Sequence, residues 1–276
     1  MPVALVLSSF VSASRIGGAA QQYVLAAHKI DPVLAPTVMF GRSPALGGQG
    51  EVTSPEVFRR MLADIEADAV FGLVDLVITG HFSSPEQVEI AAAMLERIQA
   101  AAGRAPIVIV DPILGDAPKG LYVSAGVARA VADRLVPLAD WITPNLWELG
   151  YLAGGDLADV QAVIAAVRKL GKPALVTSAP ARAGEIGLLF VDAGAAMLFA
   201  HSRLPRAPSG TGDLVTASFG AGLVEGLAPA AAAERAARAA FEVVQAAQQG
   251  RFAELPIVAL GQRLVRPTAP LRIERL

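Results

Sequence analysis

Cysteine is absent from this chain of 276 residues, which excludes disulfide bonds and thiolate chemistry. Clusters of lysine and arginine are also absent, and the formal charge of −2 argues against nucleic acid or an anionic membrane as the main partner. Although 54% of the residues are hydrophobic, no apolar run reaches the roughly 18 residues that a membrane-spanning helix needs. The first residues lack the basic flank of a secretory signal. These absences predict a cytoplasmic protein with neither a membrane nor a nucleic acid as partner.

Motifs of several common enzyme classes are missing as well. The chain has no GxxxxGKS or GxxxxGKT run and no GxSxG turn, which excludes a P-loop enzyme and disfavours a hydrolase triad. Its three histidines, His28, His81 and His201, do not have metal-ligand spacing. We expect His28, which lies in a helical stretch, to be a surface residue. We interpret Gly220-Ala221-Gly222 as a close helix contact rather than as a dinucleotide fingerprint.

Short apolar runs alternate with amphipathic stretches along the whole chain, which predicts an α/β fold with a mostly parallel sheet covered by helices on both faces. The predicted strands are Val3–Leu7, Val33–Phe40, Leu76–Thr79, Ile107–Val110, Trp141–Thr143, Ala174–Thr177, Ile186–Val191 and Ala196–His201. The predicted helices are Val57–Ala67, Val88–Ala101, Ala125–Arg134, Leu146–Leu152, Leu157–Leu170, Gly212–Glu225 and Pro229–Gln249. The last two strands form a hairpin, which predicts an antiparallel edge. With no repeat or linker in view, we expect a single domain over residues 1–276.

Polar side chains follow several of these strands at the point where each strand ends. Because the carboxyl ends of parallel strands meet at one edge of a sheet, where ligands collect, we expect these residues to converge. They are Ser8, Ser9, Gly80, His81, Asp111, Thr143, Asn145, Thr177 and Ser178.

A glycine loop, Gly210-Thr211-Gly212, precedes Asp213 at the start of a predicted helix. Glycines let backbone N–H groups point towards one position, and a helix N-terminus attracts anions. A carboxylate beside such a site fits a base that takes a proton from a hydroxyl attacking a bound phosphate. The alternative is structural: a glycine-rich loop that is capped by an aspartate.

Two further carboxylates also have two interpretations each. Asp111 directly follows a buried strand, and it either binds a Mg²⁺ ion or caps a turn. Asn145 and Glu148 lie three residues apart at a helix start, which suits water-mediated Mg²⁺ binding and equally suits a capping pair. The spacing alone does not separate these alternatives.

Three segments together resemble hallmark motifs of the ribokinase-like superfamily, in matching order and spacing. They are Asp111-Pro112-Ile113-Leu114-Gly115, Thr143-Pro144-Asn145-Leu146-Trp147-Glu148 and Gly210-Thr211-Gly212-Asp213. The resemblance covers nearly the whole chain and is greatest to pyridoxal kinases. It implies a three-layer α/β/α sandwich, a homodimer, and the use of ATP and Mg²⁺.

The resemblance also implies a role for each matching residue. Asp213 would be the general base, and the backbone of Gly210, Thr211 and Gly212 would bind the transferred phosphoryl group. On the nucleotide side, Asp111 and Glu148 would organise Mg²⁺ and the phosphates. The other residues of the nucleotide side would be Thr143, Asn145 and Thr177. On the substrate side, Ser9 would hydrogen-bond a pyridine ring, with Phe40 and His81 lining its pocket.

The implied activity is ATP-dependent phosphorylation of the hydroxymethyl group of pyridoxal, pyridoxine or pyridoxamine. Two alternatives remain: a hydroxymethylpyrimidine kinase with the same machinery, and a weakly active vitamer-binding protein. The chain departs from the pyridoxal kinase pattern in the run from Gly41 to Leu46. It also has His81 where a tyrosine is common and Thr177 where bacterial members have a lysine.

Overall fold

The computed structural model describes residues 1–101, 105–155 and 157–276. Its strands are β1 (Val3–Val11), β2 (Asp31–Phe40), β3 (Gly50–Val52), β4 (Val74–Thr79), β5 (Ile107–Val110), β6 (Gly115–Asp116), β7 (Gly120–Leu121), β8 (Trp141–Ile142), β9 (Ala174–Ala179), β10 (Glu185–Val191), β11 (Ala196–Ser202) and β12 (Arg272–Arg275). Its helices are α1 (Gly18–Ala27), α2 (Pro55–Ala67), α3 (Pro85–Ala101), α4 (Ala125–Ala130), α5 (Leu146–Ala153), α6 (Val160–Leu170), α7 (Thr211–Val224), α8 (Pro229–Gln249) and α9 (Gly261–Val265).

One sheet organises the fold, and within the described residues it has ten strands in the order β12-β11-β10-β9-β8-β5-β4-β1-β2-β3. The strands from β9 to β2 in this order are parallel to one another. At one edge β10, β11 and β12, and at the other edge β3, each pair antiparallel with the preceding strand of the sheet, counted outward from its centre. The predicted parallel sheet and the predicted hairpin at its edge are therefore confirmed. The edge strands β3 and β12 were not predicted, because both are short and β12 is largely charged.

Apolar residues on both faces of the sheet create the three layers. In β1, Leu5 and Leu7 join a core on the side of α2, α3, α4, α5 and α6. Ala4 and Val6 of the same strand join a second core on the side of α1, α7, α8 and α9. A strand that is buried on both faces must be apolar at every position, which explains why the central strands read as continuous hydrophobic runs.

Serine caps begin two helices on the first of these faces. The Ser54 hydroxyl accepts the N–H of Val57 at 3.2 Å, and the Ser84 hydroxyl accepts the N–H of Gln87 at 3.3 Å. Both starts were predicted from serine followed by proline. The side-chain carbonyl of Gln87 accepts the N–H of Ser83 at 2.8 Å, one residue before the serine cap. These bonds satisfy N–H groups that a helix start leaves without partners.

The prediction that His28 is a surface residue is wrong. His28 follows α1 and is buried, with its Nδ1 2.7 Å from Oε1 of Glu225, the residue that follows α7. Burial lowers the pKa of His28, although the glutamate opposes that shift. The pair joins the C-terminal ends of α1 and α7.

Among the described residues, no helix is long and apolar enough to cross a membrane.

The small residues of α7 permit close packing, as predicted. A Cβ at Gly220 would lie 2.9 Å from Cδ2 of Leu76 in the sheet. A Cβ at Gly222 would lie 2.7 Å from Cβ of Ala232 in α8 and 3.1 Å from its Cα. These distances leave no room for a side chain, so α7 is held between the sheet and α8.

We therefore expect Gly222→Ala to lower the free energy of unfolding by about 1–3 kcal/mol, the usual cost of overpacking. Urea unfolding followed by circular dichroism measures the change. Gly261→Ala is the control, because a Cβ there meets open space at the first residue of α9. Equal stability of the Gly222→Ala variant and the unmodified protein would contradict the packing argument.

Candidate active site

The carboxyl ends of six parallel strands form one rim, and the predicted site residues divide between its two halves. The sheet order places the ends of β9, β8 and β5 side by side, followed by the ends of β4, β1 and β2. The first half carries Thr177, Thr143 and Asp111, and the second half carries His81, Ser9 and Phe40. Helix α7, with Asp213 in its first turn, packs against β4 and β5, between the two halves.

Asp213 is buried, and its two carboxylate oxygens have different environments. Oδ2 accepts the N–H of Gly17 at 2.8 Å, whereas Oδ1 has no hydrogen-bond partner among the described residues. Burial raises the pKa of Asp213 to about 6, and the bond from Gly17 opposes the rise. The carboxylate is thus oriented through one oxygen and can accept a proton on the other.

The glycine loop before Asp213 is shaped by contacts with another part of the chain. Gly210 has a φ of 93°, in the left-handed region, and a Cβ there would lie 2.1 Å from the Arg15 carbonyl oxygen. A Cβ at Gly212 would meet no heavy atom of the described residues within 4 Å, which leaves open space beside the N-terminus of α7. The Thr211 hydroxyl donates to the Pro208 carbonyl at 2.9 Å. Open space at a helix N-terminus fits the predicted anion site.

Asp111 lies at the end of β5 and is hydrogen-bonded to α7. Its Oδ2 accepts the hydroxyl of Thr216 at 2.9 Å, and the Thr216 hydroxyl lies 2.8 Å from that of Thr143. Burial, followed by the negative charges of Glu148 and Asp213, raises the pKa of Asp111 well above its usual range. Three of the predicted site carboxylates are therefore close enough to influence one another.

Asn145 and Glu148 form the capping pair of α5. The Asn145 side chain accepts the N–H of Glu148 at 2.9 Å, and Oε2 of Glu148 accepts the N–H of Asn145 at 2.8 Å. The other oxygen of Glu148 accepts the N–H groups of Leu114 and Gly115 at 2.8 and 3.4 Å. The structural interpretation is confirmed, and the role of both residues toward a nucleotide stays a prediction. Burial raises the pKa of Glu148 to about 7 despite these bonds.

The chemistry of this half fits a divalent cation that is shared with phosphates. Asp111 and Glu148 are buried carboxylates whose repulsion a cation would relieve. No cluster of three or more histidine, cysteine or acidic side chains suited to a metal occurs in the described ranges. Mg²⁺ commonly takes only one or two carboxylates and completes its shell with water and substrate phosphates. The two carboxylates Asp111 and Glu148 therefore suit Mg²⁺ bound together with a nucleotide.

The second half of the rim carries the residues that were predicted to contact the substrate ring. Ser9 occupies a bulge of β1, where the pairing with β2 shifts, and a Cβ at Gly17 would lie 2.3 Å from its hydroxyl. The Phe40 ring packs over Gly50. Burial lowers the pKa of His81 to about 4, so its imidazole is neutral, and its Nδ1 has no partner among the described residues.

The sequence interpretation assigned no role to two residues that hold the site together. Gly17 supplies the N–H that orients Asp213, and Thr216 joins Asp111 to α7. Thr216 follows Asp213 by three residues on one helix, so the helical period could have placed both on one face. Nothing local identifies the Gly17 contact, because the two partners are separated by 196 residues.

A family model described as phosphomethylpyrimidine kinase matches residues 49–254. A pyridoxine/pyridoxal/pyridoxamine kinase of Bordetella avium is 33% identical over 257 residues, which cover 90% of this chain and 86% of that protein. A pyridoxal kinase of Leifsonia xyli is 28% identical over 280 residues, with 99% of each chain covered. The pyridoxal kinase of Leishmania donovani in complex with ADP and pyridoxamine matches all of both chains, with a TM-score of 0.91 and 21% identity. The last similarity confirms the expected fold.

The buried charge at Asp111 predicts how stability changes with pH. A carboxyl whose pKa is raised by folding destabilises the folded protein increasingly as pH rises from about 4. Asp111→Asn removes that charge, so the stability of the variant relative to the unmodified protein should increase from pH 5 to pH 8. Urea unfolding without ligands measures the difference. Asp64→Asn, on the exposed face of α2, is the control for the removal of a carboxylate that is not buried. A difference for Asp111→Asn that does not grow with pH would refute the argument.

Proposed function

The chain belongs to the ribokinase-like superfamily and, within it, to the family of phosphomethylpyrimidine and pyridoxal kinases, and we propose that it transfers the γ-phosphoryl group of ATP to the hydroxymethyl group of a B6 vitamer. The vitamers are pyridoxal, pyridoxine and pyridoxamine. The observation that carries the proposal is that Oδ1 of Asp213, the residue directly after the glycine loop at the N-terminus of α7, has no hydrogen-bond partner in the described part of the chain. A vitamer-binding protein without catalysis would need neither feature.

Asp213 would act as the general base. Its Oδ1 takes the proton of the substrate hydroxyl while the hydroxyl oxygen bonds to the γ-phosphorus of ATP. The bond between the γ-phosphorus and the oxygen of the leaving ADP breaks. The Gly17 N–H holds Oδ2 and so fixes the direction of the carboxylate. A pKa of about 6 leaves the carboxylate mostly ionised at neutral pH and more basic than an ordinary aspartate.

The backbone of Gly210, Thr211 and Gly212 would bind the phosphoryl group in transfer. The helix N-terminus provides N–H groups and a positive partial charge where negative charge collects. Asp111 and Glu148 would hold Mg²⁺, which would supply charge neutralisation for the phosphates. The residues that complete this nucleotide side are Thr143, Asn145 and Thr177. The N–H of Thr177 donates to the Pro144 carbonyl at 2.9 Å, which ties β9 to the start of α5.

The ring of the substrate would occupy the half of the rim that carries Ser9, Phe40 and His81. The bulge in β1 turns Ser9 out of the regular alternation, a common use of bulges near active sites. Its hydroxyl would donate to the ring nitrogen. The neutral His81 adds a polar group without adding charge, so the site would be compatible with all three vitamers, which differ in one side chain of the ring.

The test of this function is ADP release with a panel of acceptor alcohols. We expect turnover with the three vitamers and little with sugar alcohols. Preference for hydroxymethylpyrimidine would favour the alternative kinase, and ATP-dependent turnover of none of them would leave a binding protein. We also propose that residues 1–276 act as one kinase domain, as a homodimer in the cytoplasm. These last points rest on the resemblance and on the composition.

Asp213→Asn keeps the shape of the side chain but cannot accept the proton. We expect kcat to fall by roughly 10²–10⁴-fold, with much smaller changes in the KM values. In the unmodified protein the rate should fall as pH drops below about 6, because Asp213 becomes protonated there. Asp64→Asn serves as the control. A near-normal kcat in Asp213→Asn would remove Asp213 from the mechanism.

Glu148→Gln separates the cation role from the capping role. We expect a higher Mg²⁺ concentration for half-maximal rate, together with a loss of about 1 kcal/mol from the capping pair. The matched control is Ser54→Ala, which removes the cap of α2 at similar cost and follows β3, a strand that β4, β1 and β2 separate from β5 in the sheet. Initial rates across a Mg²⁺ titration and thermal unfolding measure both effects. An unchanged Mg²⁺ dependence in Glu148→Gln would reduce Glu148 to a cap.

A further inference from the structure

The loop between β1 and α1, residues 12–17, contacts both halves of the reaction site; we call it the β1–α1 loop. On the substrate side, the N–H of Ser12 donates to the Phe40 carbonyl at 2.9 Å, and the N–H of Ala13 donates to the Gly41 carbonyl at 3.0 Å. The loop therefore follows the end of β2, where the substrate ring would lie in the proposed function.

The same loop contacts the catalytic side through its backbone. Gly17 donates to Asp213, and the Arg15 carbonyl oxygen occupies the position that a side chain at Gly210 would need. A shift of this loop would move the donor that orients the base and the surface against which the glycine loop packs. An error of about 1 Å in such positions is enough to slow a reaction by two orders of magnitude.

Glu254 binds this loop from a distant part of the chain. Its Oε1 accepts the hydroxyl of Ser14 at 2.8 Å, and its Oε2 accepts the N–H of Arg15 at 3.2 Å. Ser14 is buried, with 2% of its surface exposed. The next residue, Leu255, is also buried, and its Cδ1 lies 3.3 Å from the position of a Cβ at Gly210. One short segment thus contacts both the β1–α1 loop and the glycine loop.

We propose that Glu254 is a positioning residue of the phosphoryl transfer, which it supports by holding the β1–α1 loop against Asp213 and Gly210. This inference rests on the proposed function of the site. The carboxylate acts as a double acceptor rather than through its charge. The Arg15 guanidinium lies over the Tyr23 ring, 4.6 Å from its centroid, and Glu254 bonds the Arg15 backbone instead.

Two variants of Glu254 separate positioning from charge. Glu254→Ala removes both acceptors, so kcat should fall by about 10- to 100-fold. The KM values should change much less than kcat, because in the proposed site the Glu254 side chain bonds the β1–α1 loop and not a substrate. Glu254→Gln should keep kcat within about threefold, because its carbonyl can accept the Arg15 N–H and its amide can donate to the Ser14 hydroxyl. A Gln variant as impaired as the Ala variant would overturn the proposal, since charge would then be required.

A double-mutant cycle tests whether Glu254 acts through Ser14. Ser14→Ala removes one of the two bonds and should lower kcat in part. Adding Ser14→Ala to Glu254→Ala should lower kcat no further, because the interaction is already lost. Fully additive effects would overturn the proposal. Glu234→Ala is the control: its carboxylate is partly exposed and pairs with Arg238 on α8. This variant should keep kcat unchanged.

Hydrogen exchange measured by mass spectrometry follows the loop without any reference to activity. The amides of residues 12–17 should exchange faster in Glu254→Ala than in the unmodified protein, and at the unmodified rate in Glu254→Gln and Glu234→Ala. If the unmodified protein phosphorylates no vitamer, the proposed function fails. Faster exchange of residues 12–17 in Glu254→Ala would still show that Glu254 holds the β1–α1 loop. Unchanged exchange in Glu254→Ala overturns the proposal. Should Glu254→Ala fail to fold, Glu254→Gln and Ser14→Ala carry the same test.

Discussion

Buried negative charge is the constraint around which the reaction site is built. Asp111, Glu148 and Asp213 lie at the rim formed by the carboxyl ends of the parallel strands, and burial raises the pKa of each. Backbone N–H groups and one threonine hydroxyl offset only part of this desolvation. Proteins often accept lower stability at sites that must bind ligands. The metal–nucleotide complex proposed for this site would offset the negative charge and so would stabilise this part of the fold.

The central architecture was predictable because burial on both faces leaves a simple pattern. Short, wholly apolar runs identified the inner strands, and serine followed by proline identified the starts of α2 and α3. Helix α1 was missed because its N-cap is Gly17, which makes no side-chain cap bond, and its first turn has no acidic residue. The edge strands β3 and β12 lack an apolar run, and only the neighbouring strands determine that they pair.

The site was predictable where chemistry depends on position along a strand or helix. Asp111 directly follows a strand, and Asp213 directly follows the glycine loop, so both could be placed from the sequence. The contacts that orient these residues could not be, because Gly17 and Thr216 act across 196 and 105 residues. The burial of His28 was missed for the same reason, since its partner Glu225 belongs to a different helix. The spacing of Asn145 and Glu148 suited both a capping pair and Mg²⁺ binding, and only the structure shows that the two residues cap α5.

The division of the rim has a consequence for how such an enzyme can diversify. In the proposed mechanism the substrate ring would lie at the ends of β4, β1 and β2, whereas the carboxylates proposed to act on phosphate and cation lie at β5 and at the starts of α5 and α7. The two halves are joined by the β1–α1 loop, which bonds the Phe40 carbonyl through Ser12 and Asp213 through Gly17. Substitutions that leave this loop in place and share no contact with the other half should combine additively with changes there, so acceptor choice could change separately from phosphoryl transfer. The pocket around Phe40 and His81 is accordingly the place for a library that aims at new acceptor alcohols.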